Sequence, residues 1–380
     1  MRRLESVVPT TIFIVQTCDR KLKLRPLTSM AATAAVYFFL FFLILPYFAV
    51  GSPSPYMSAT TLFQDYQNML TTLKIFIYDT PKSPFSFPEL PTSLFYNSLC
   101  RSPFLTLDPA EGHLFFVPFS PGTSARSLAR LVRDLRNNHP YWNRTLGADH
   151  FFVSPVGIDY SSDRNVLELK KNSVQVSVFP VVSGYFVPHK DITLPAFNMS
   201  PLALSHAQDQ ENPMTDKSFL GYMKWDGETE PNLVNELKLH NDFLVEESEA
   251  LDYMRNVQTS KFCLFVYSGD VAGMVEAMSV GCVPVLIVDR PIQDLPFLDV
   301  LRWSDMALLV AARSGAERMK SVLNGVSEEK YMEMRELGVA ASKHLVWNLE
   351  PQTMDAFHMV MYQLWLRRHV IRYARRDFAV

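Results

Sequence analysis

Ser268, Gly269, Glu276 and Asp289 stand within one stretch, Lys261 to Leu298, that reads KFCLFVYSGDVAGMVEAMSVGCVPVLIVDRPIQDLPFL. A small-residue turn that opens onto a helix N-terminus suits a diphosphate. A carboxylate close by suits the paired hydroxyls of a ribose. To place these groups together, the apolar run Phe262 to Tyr267 must be a strand. It meets the turn Ser268, Gly269, Asp270. A helical segment carrying Glu276 follows, then Gly281, then a second apolar run from Val283 to Val288 that ends at Asp289. Strand, turn, helix and strand make one βαβ unit of a parallel sheet. Ligands of such sheets bind at the carboxyl ends of the strands, which is where these residues fall. The same spacing also fits a buried βαβ unit with no ligand.

The chain has 380 residues, enough for two domains. A net charge of −3 gives no argument for a nucleic-acid partner. With 27 Phe and 25 Pro, the composition fits many short strands cut by proline-containing turns.

Residues 30–50, MAATAAVYFFLFFLILPYFAV, form an apolar run of about 20 residues, long enough to cross a bilayer core as a helix. Arg20, Lys21, Lys23 and Arg25 precede it, and no comparable basic cluster follows. The positive-inside rule then places residues 1–29 in the cytosol and the bulk of the chain across the membrane. A cleaved signal peptide is the alternative, against which the long basic lead and long apolar core argue. Residues 51–73, with Pro53 and Pro55, read as a stem. Cys263 and Cys282 flank the helix of the opening unit and either bridge or stay buried thiols. Asn143-Arg-Thr is a glycosylation sequon.

Beyond the stem the pattern alternates. Strands are expected at Lys74 to Tyr78, His113 to Phe119, His150 to Ser154, Val174 to Val182 and Lys190 to Leu194. Ser124 to Asn137 is an amphipathic helix, with Leu128, Leu131, Val132 and Leu135 on one face and Arg126, Arg130, Arg133 and Arg136 elsewhere. Residues 200–216 are polar and proline-containing, and read as a linker between a first domain, 74–199, and a second, 217–349. A helix and tail occupy 350–380. The fold class is α/β, two Rossmann-like domains facing a cleft, preceded by one transmembrane helix.

Several pieces together resemble a plant member of the exostosin family of glycosyltransferases. They are TLDPAEGHLFFVPF (Thr106 to Phe119), HPYWNRTLGADHFFVSP (His139 to Pro155), FVPHKDITLP (Phe186 to Pro195), KFCLF with GCVPVLIVD, LPFLDVLRWS (Leu295 to Ser304) and FHMVMYQLWLRRHVIRY (Phe357 to Tyr373). The resemblance implies a Golgi type II membrane protein of GT-B architecture. It implies an inverting transfer from a nucleotide sugar, a UDP-sugar, to a cell-wall polysaccharide or glycan, with the donor on the C-terminal domain and the acceptor on the N-terminal one. No metal is expected, since helix dipoles and basic side chains can offset the leaving diphosphate. A complex with other glycosyltransferases is a further implied partner.

Carried over position by position, Glu276 becomes the ribose carboxylate and Ser268-Gly269 the turn before its helix. An inverting transfer also needs a base for the acceptor hydroxyl. His150, in the Asp149-His150-Phe-Phe element, and Asp191 are the catalytic candidates, with Asp159 behind them. The plain readings are a hydrogen-bonded histidine at a strand end and an aspartate bracing a turn. Lys224 and Lys217 are candidate phosphate contacts or plain surface lysines, and Arg367, Arg368 and Arg372 read as a solvated helix face. The chain departs from the family in three places. Pro155-Val156-Gly157-Ile158 replaces a His-Asp-Trp-Gly element. Only Lys224 stands where a basic pair opens the donor domain. Gly273 and Met274 stand near the place of an arginine. A donor site with fewer cations stabilises its leaving group less, so a non-catalytic scaffold or glycan-binding member is the alternative function.

Overall fold

The computed structural model describes residues 54–79, 85–181, 184–197, 217–247 and 252–376. The cytosolic tail (1–29), the transmembrane span (30–50) and the linker (200–216) lie outside the described residues. Among the described residues no helix is long and apolar enough to cross a membrane.

The first half contains helix α1 (Ala59–Thr72), strand β1 (Ile75–Ile77), α2 (Thr92–Arg101), β2 (Leu105–Thr106), β3 (Leu114–Phe116), α3 (Ala125–Asn138), α4 (Pro140–Thr145), β4 (His150–Val153), α5 (Arg164–Asn172), β5 (Val174–Val178) and β6 (Ile192–Leu194). The six strands pair in parallel in the order β2-β1-β3-β4-β5-β6. Strand period sends alternate side chains to opposite faces. Leu114, Phe116, Phe151 and Val153 join one core cluster, while Phe115, Val117 and Phe152 join another under α3, α4 and α5. Parallel strands covered on both faces are apolar throughout, which is why these runs do not alternate with polar residues.

The second half contains β7 (Phe219–Trp225), α6 (Pro231–Lys238), β8 (Phe243–Glu247), α7 (Tyr253–Gln258), β9 (Ser260–Val266), α8 (Met274–Ser279), β10 (Val283–Ile287), β11 (Leu308–Val310), α9 (Gly315–Asn324), α10 (Glu328–Ser342) and α11 (Ala356–Arg376). Its five strands are also parallel, in the order β11-β10-β9-β7-β8. The chain leaves β7 for β8 on one side and returns to β9 on the other. The strand order therefore reverses between β7 and β9, and a crevice opens outside their carboxyl ends. At the opposite, amino end a disulfide joins Cys263 to Cys282, with Cα atoms 5.7 Å apart.

The two halves share a core. Tyr267, Phe297 and Trp303 from the second half cluster with Phe116, Val176 and Leu194 from the first. Trp347 Nε1 donates to the Pro195 carbonyl at 3.0 Å. The stem reading of 51–73 is corrected over its described part. Residues 59–72 are a helix whose Leu62, Tyr66 and Met69 are buried in the shared core, with Tyr66 against His358 of the C-terminal helix, an apolar stripe that only burial satisfies. α11 likewise packs back on the first half: Phe357 lies against the rings of Phe95 and Phe104. Arg367 is buried, donates to the Lys190 and Asp191 carbonyls and pairs with Asp299 at 3.0 Å, so it is no solvated helix face.

Candidate functional site

His150 opens β4 and Asp191 precedes β6, so both stand at amino ends of strands, away from the edge where parallel sheets bind ligands. The His150 side chain is fully buried. Its Nδ1 donates to Asp149 Oδ1 at 2.8 Å, and its Nε2 takes the Tyr78 hydroxyl at 2.9 Å. The rings of Tyr78, Phe115 and Trp142 enclose it. Burial pushes its pKa below the ordinary histidine value, so the ring is neutral. Burial alone raises a carboxylate, but hydrogen bonds from His150, Thr145 and Arg144 outweigh it and bring Asp149 to about 2. Both ring nitrogens are used and no acceptor hydroxyl can reach them. His150 is corrected from candidate base to structural histidine.

Asp191 is corrected on the same grounds. Its buried carboxylate accepts from the Gln175 N–H at 3.1 Å and the Val187 N–H at 2.8 Å, and holds Lys190 Nζ. It braces the loop before β6. Asp159 differs from both: it is exposed in the loop after β4, where its carboxylate accepts from the Tyr160 N–H. Lys217 lies before β7 and donates to the Gln258 carbonyl, again at the amino edge. Asn143 is exposed on α4, with its Nδ2 on the Arg136 carbonyl at 3.0 Å.

The donor candidates converge. Lys224 lies near the carboxyl end of β7, and Ser268-Gly269-Asp270 leave the carboxyl end of β9, on the two strands that flank the reversal. Lys224 Nζ lies 3.7 Å from Asp270 Oδ2. Asp226 folds the loop after β7 into a turn by accepting from the N–H groups of Glu228 and Thr229 at 2.9 Å. That turn presses against Gly269, where an added Cβ would meet Thr229 Oγ1 at 2.8 Å and Asp226 Oδ2 at 2.9 Å. A larger residue at 269 would have to push those two side chains aside.

Glu276 is buried in α8. Burial raises the pKa of Tyr253, and the neighbouring charges of Glu276 and Asp270 and a hydrogen bond to Glu276 raise it further, which places that phenol beside the Glu276 carboxylate. Tyr253 also reaches the Gly273 carbonyl at 3.4 Å. A Cβ at Gly273 would sit 2.4 Å from the Tyr253 oxygen. Tyr253 thus fills the space that a longer side chain at 273 needs, which accounts for glycine near the arginine's place. α8 has only six residues and starts well past Ser268, so its dipole adds little at the turn.

Beside the turn lies a pocket of 230 Å³, lined by Glu230, Tyr267, Ser268, Asp289 and Arg290 among others. Glu230 enters it from the left-handed N-cap of α6. Asp289 is opposed by Arg313 at 3.9 Å. Tyr253 and Arg290 escape sequence reasoning. Tyr253 belongs to a helix with no motif. Arg290 had a legible signal, since it follows Asp289 at the end of an apolar strand.

This arrangement, two parallel α/β sheets with a polar crevice at the second one's reversal point, defines a doubly wound α/β architecture. The exostosin GT47 domain matches residues 69–326, and the chain belongs to that family. A probable glycosyltransferase of Arabidopsis thaliana is 30% identical over 77% of this chain, and the chain spans 66% of that relative's length, just under two thirds. A probable beta-1,4-xylosyltransferase of Arabidopsis thaliana is 24% identical over 76% of this chain and 80% of its own length. A probable glucuronosyltransferase of Oryza sativa subsp. japonica is 23% identical over 80% of each. Among solved structures, the glycosyltransferase SnogD from Streptomyces nogalater aligns over 72% of this chain and 95% of its own at 13% identity. Its TM-score of 0.29 is too loose a likeness to carry an inference.

Proposed function

We propose that this chain is a glycosyltransferase that takes a UDP-sugar as donor and transfers the sugar, with inversion, to a cell-wall polysaccharide or other glycan. The observation that carries the reading is the crevice at the strand-order reversal, where Lys224, Ser268, Gly269 and the buried Glu276 converge. Glu276, steadied by Tyr253, binds the ribose hydroxyls. The tight turn at Gly269 brings its backbone close to the diphosphate, and Lys224 offsets part of its charge. No metal enters this scheme. The relatives' names support transfer to a glycan. The architecture proposed is GT-B, with the acceptor on the first sheet's side of the cleft. The protein is read as a Golgi glycoprotein, single-pass type II, with Asn143 glycosylated. The Cys263–Cys282 disulfide supports an oxidising, lumenal compartment.

A second reading, a scaffold or glycan-binding partner of active transferases, is favoured by one observation. The two candidate bases, His150 and Asp191, are walled in. Calorimetric titration of the full chain with UDP, followed by assay of UDP release from UDP-sugars with glycan acceptors, separates the readings. The transferase binds UDP and releases it in the presence of acceptor. No binding at millimolar UDP removes the donor reading, and binding without release leaves the scaffold.

A further inference from the structure

Arg290 is exposed at the carboxyl end of β10 and forms part of the pocket wall beside Ser268. The other cations near this edge are already opposed by carboxylates, Lys224 by Asp270 at 3.7 Å and Arg313 by Asp289 at 3.9 Å. Among the described residues, no carboxylate lies within ion-pair distance of the Arg290 guanidinium. The group is nevertheless held in place. It lies over the Tyr267 ring, 4.7 Å from its centre, and reaches the Val181 carbonyl of the first half at 3.5 Å. The Val181 N–H is fixed in turn by Asp294 Oδ2 at 2.8 Å, and the same carboxylate oxygen accepts the Tyr267 hydroxyl. Its side chain also hydrogen-bonds Tyr267, so Arg290 is a positioned cation without an ion-pair partner among the described residues, facing a pocket at the donor edge.

We infer that Arg290 is the diphosphate-binding cation of this chain, supplied from the β10 loop in place of the cation missing near Gly273. The inference rests on the nucleotide-sugar reading above and adds to it the residue that recognises the phosphates. A planar guanidinium presents paired N–H donors that match phosphate oxygens. Stacking on Tyr267 fixes its plane beforehand, so little rotamer freedom is lost on binding. Because the same side chain touches Val181, the phosphate contact is made where the two halves meet.

The test compares UDP with uridine, which lacks the phosphates. Each is titrated into the wild-type full chain, Arg290→Ala and Arg290→Lys, with UDP competition where uridine binds weakly. Arg290→Ala weakens UDP by about tenfold, the size of a charge-assisted phosphate contact, and leaves uridine unchanged. Arg290→Lys keeps the charge but loses the fork, and falls between. Unchanged UDP affinity in Arg290→Ala, or an equal loss for UDP and uridine, overturns the assignment and leaves the nucleotide-sugar reading standing. Failure of the wild-type protein to bind UDP overturns both.

Discussion

The amino edge of the first sheet and the carboxyl edge of the second both gather titratable residues, yet they do opposite things with them. At the amino edge, Asp149, His150, Lys190 and Asp191 are buried or nearly so and spend their polar atoms on one another and on backbone groups. At the carboxyl edge, Ser268, Asp289 and Arg290 are exposed and line an open pocket, with the buried Glu276 close behind. The difference teaches that strand polarity, more than residue type, separates a brace from a site. Parallel strands end their loops into the crevice and begin them beneath it.

The comparison breaks most sharply if the sealed edge is dispensable. Asp191→Ala leaves Lys190 buried without its carboxylate and two backbone N–H groups without an acceptor. The expected loss is about 3–5 kcal/mol in urea unfolding, and stability within 1 kcal/mol of wild type would contradict the brace assignment. Replacing Cys263 and Cys282 together by serine opens a bridge across 19 residues. It should cost about 3 kcal/mol, seen as a lower unfolding midpoint, and insensitivity to reducing agent in the wild type would argue against the bond.

Acid sharpens the comparison further. His150 is held below the ordinary histidine pKa by burial, and His344 is lowered in the same way. The unfolded chain therefore takes up protons first as pH falls below about 6.5. Each group removes stability at up to about 1.4 kcal/mol per pH unit from there down to its folded pKa. Asp149 does not add to the loss until the pH falls below its unfolded value, toward its folded value of about 2. Unfolding free energies at pH 7 and 5.5 check this, and equal values would mean that His150 is accessible. The smallest effect falls on the open edge. Lys224→Ala breaks a half-exposed pair with Asp270 and should change stability by less than about 1 kcal/mol, while weakening UDP. A large loss of stability instead would make Lys224 a brace as well.

Much of this was legible in the sequence. The apolar runs at Phe262 to Tyr267 and Val283 to Val288, with Ser268-Gly269 between them, give the βαβ unit correctly, because strand, turn and helix periods are local. Glu276 falls on the helix of that unit, while Lys224 lies outside it, on β7, and was named only through the family resemblance. His150 and Asp191 were misplaced because their function depends on which end of a strand they occupy and on what encloses them, and enclosure by Tyr78 or Val187 comes from distant or loop residues. Helix 59–72 looked like a stem because its stripe of Leu62, Tyr66 and Met69 is sparse and follows a proline-containing segment. Tyr253 was invisible because its contact with Gly273 joins residues 20 apart on successive helical segments. Arg290 showed only as a charge after a strand, and its value lies in the pocket and the Tyr267 ring around it.

The central claim is that the carboxyl edge of the second sheet holds the donor nucleotide through Glu276. Calorimetric titration of UDP into the wild-type full chain and into Glu276→Ala tests it most directly. The account predicts saturable binding by the wild type and an affinity at least about tenfold weaker in the variant, as expected when hydrogen bonds to a charged group are lost. Equal affinity in the two proteins, with Glu276→Ala folded as judged by its unfolding midpoint, would contradict it.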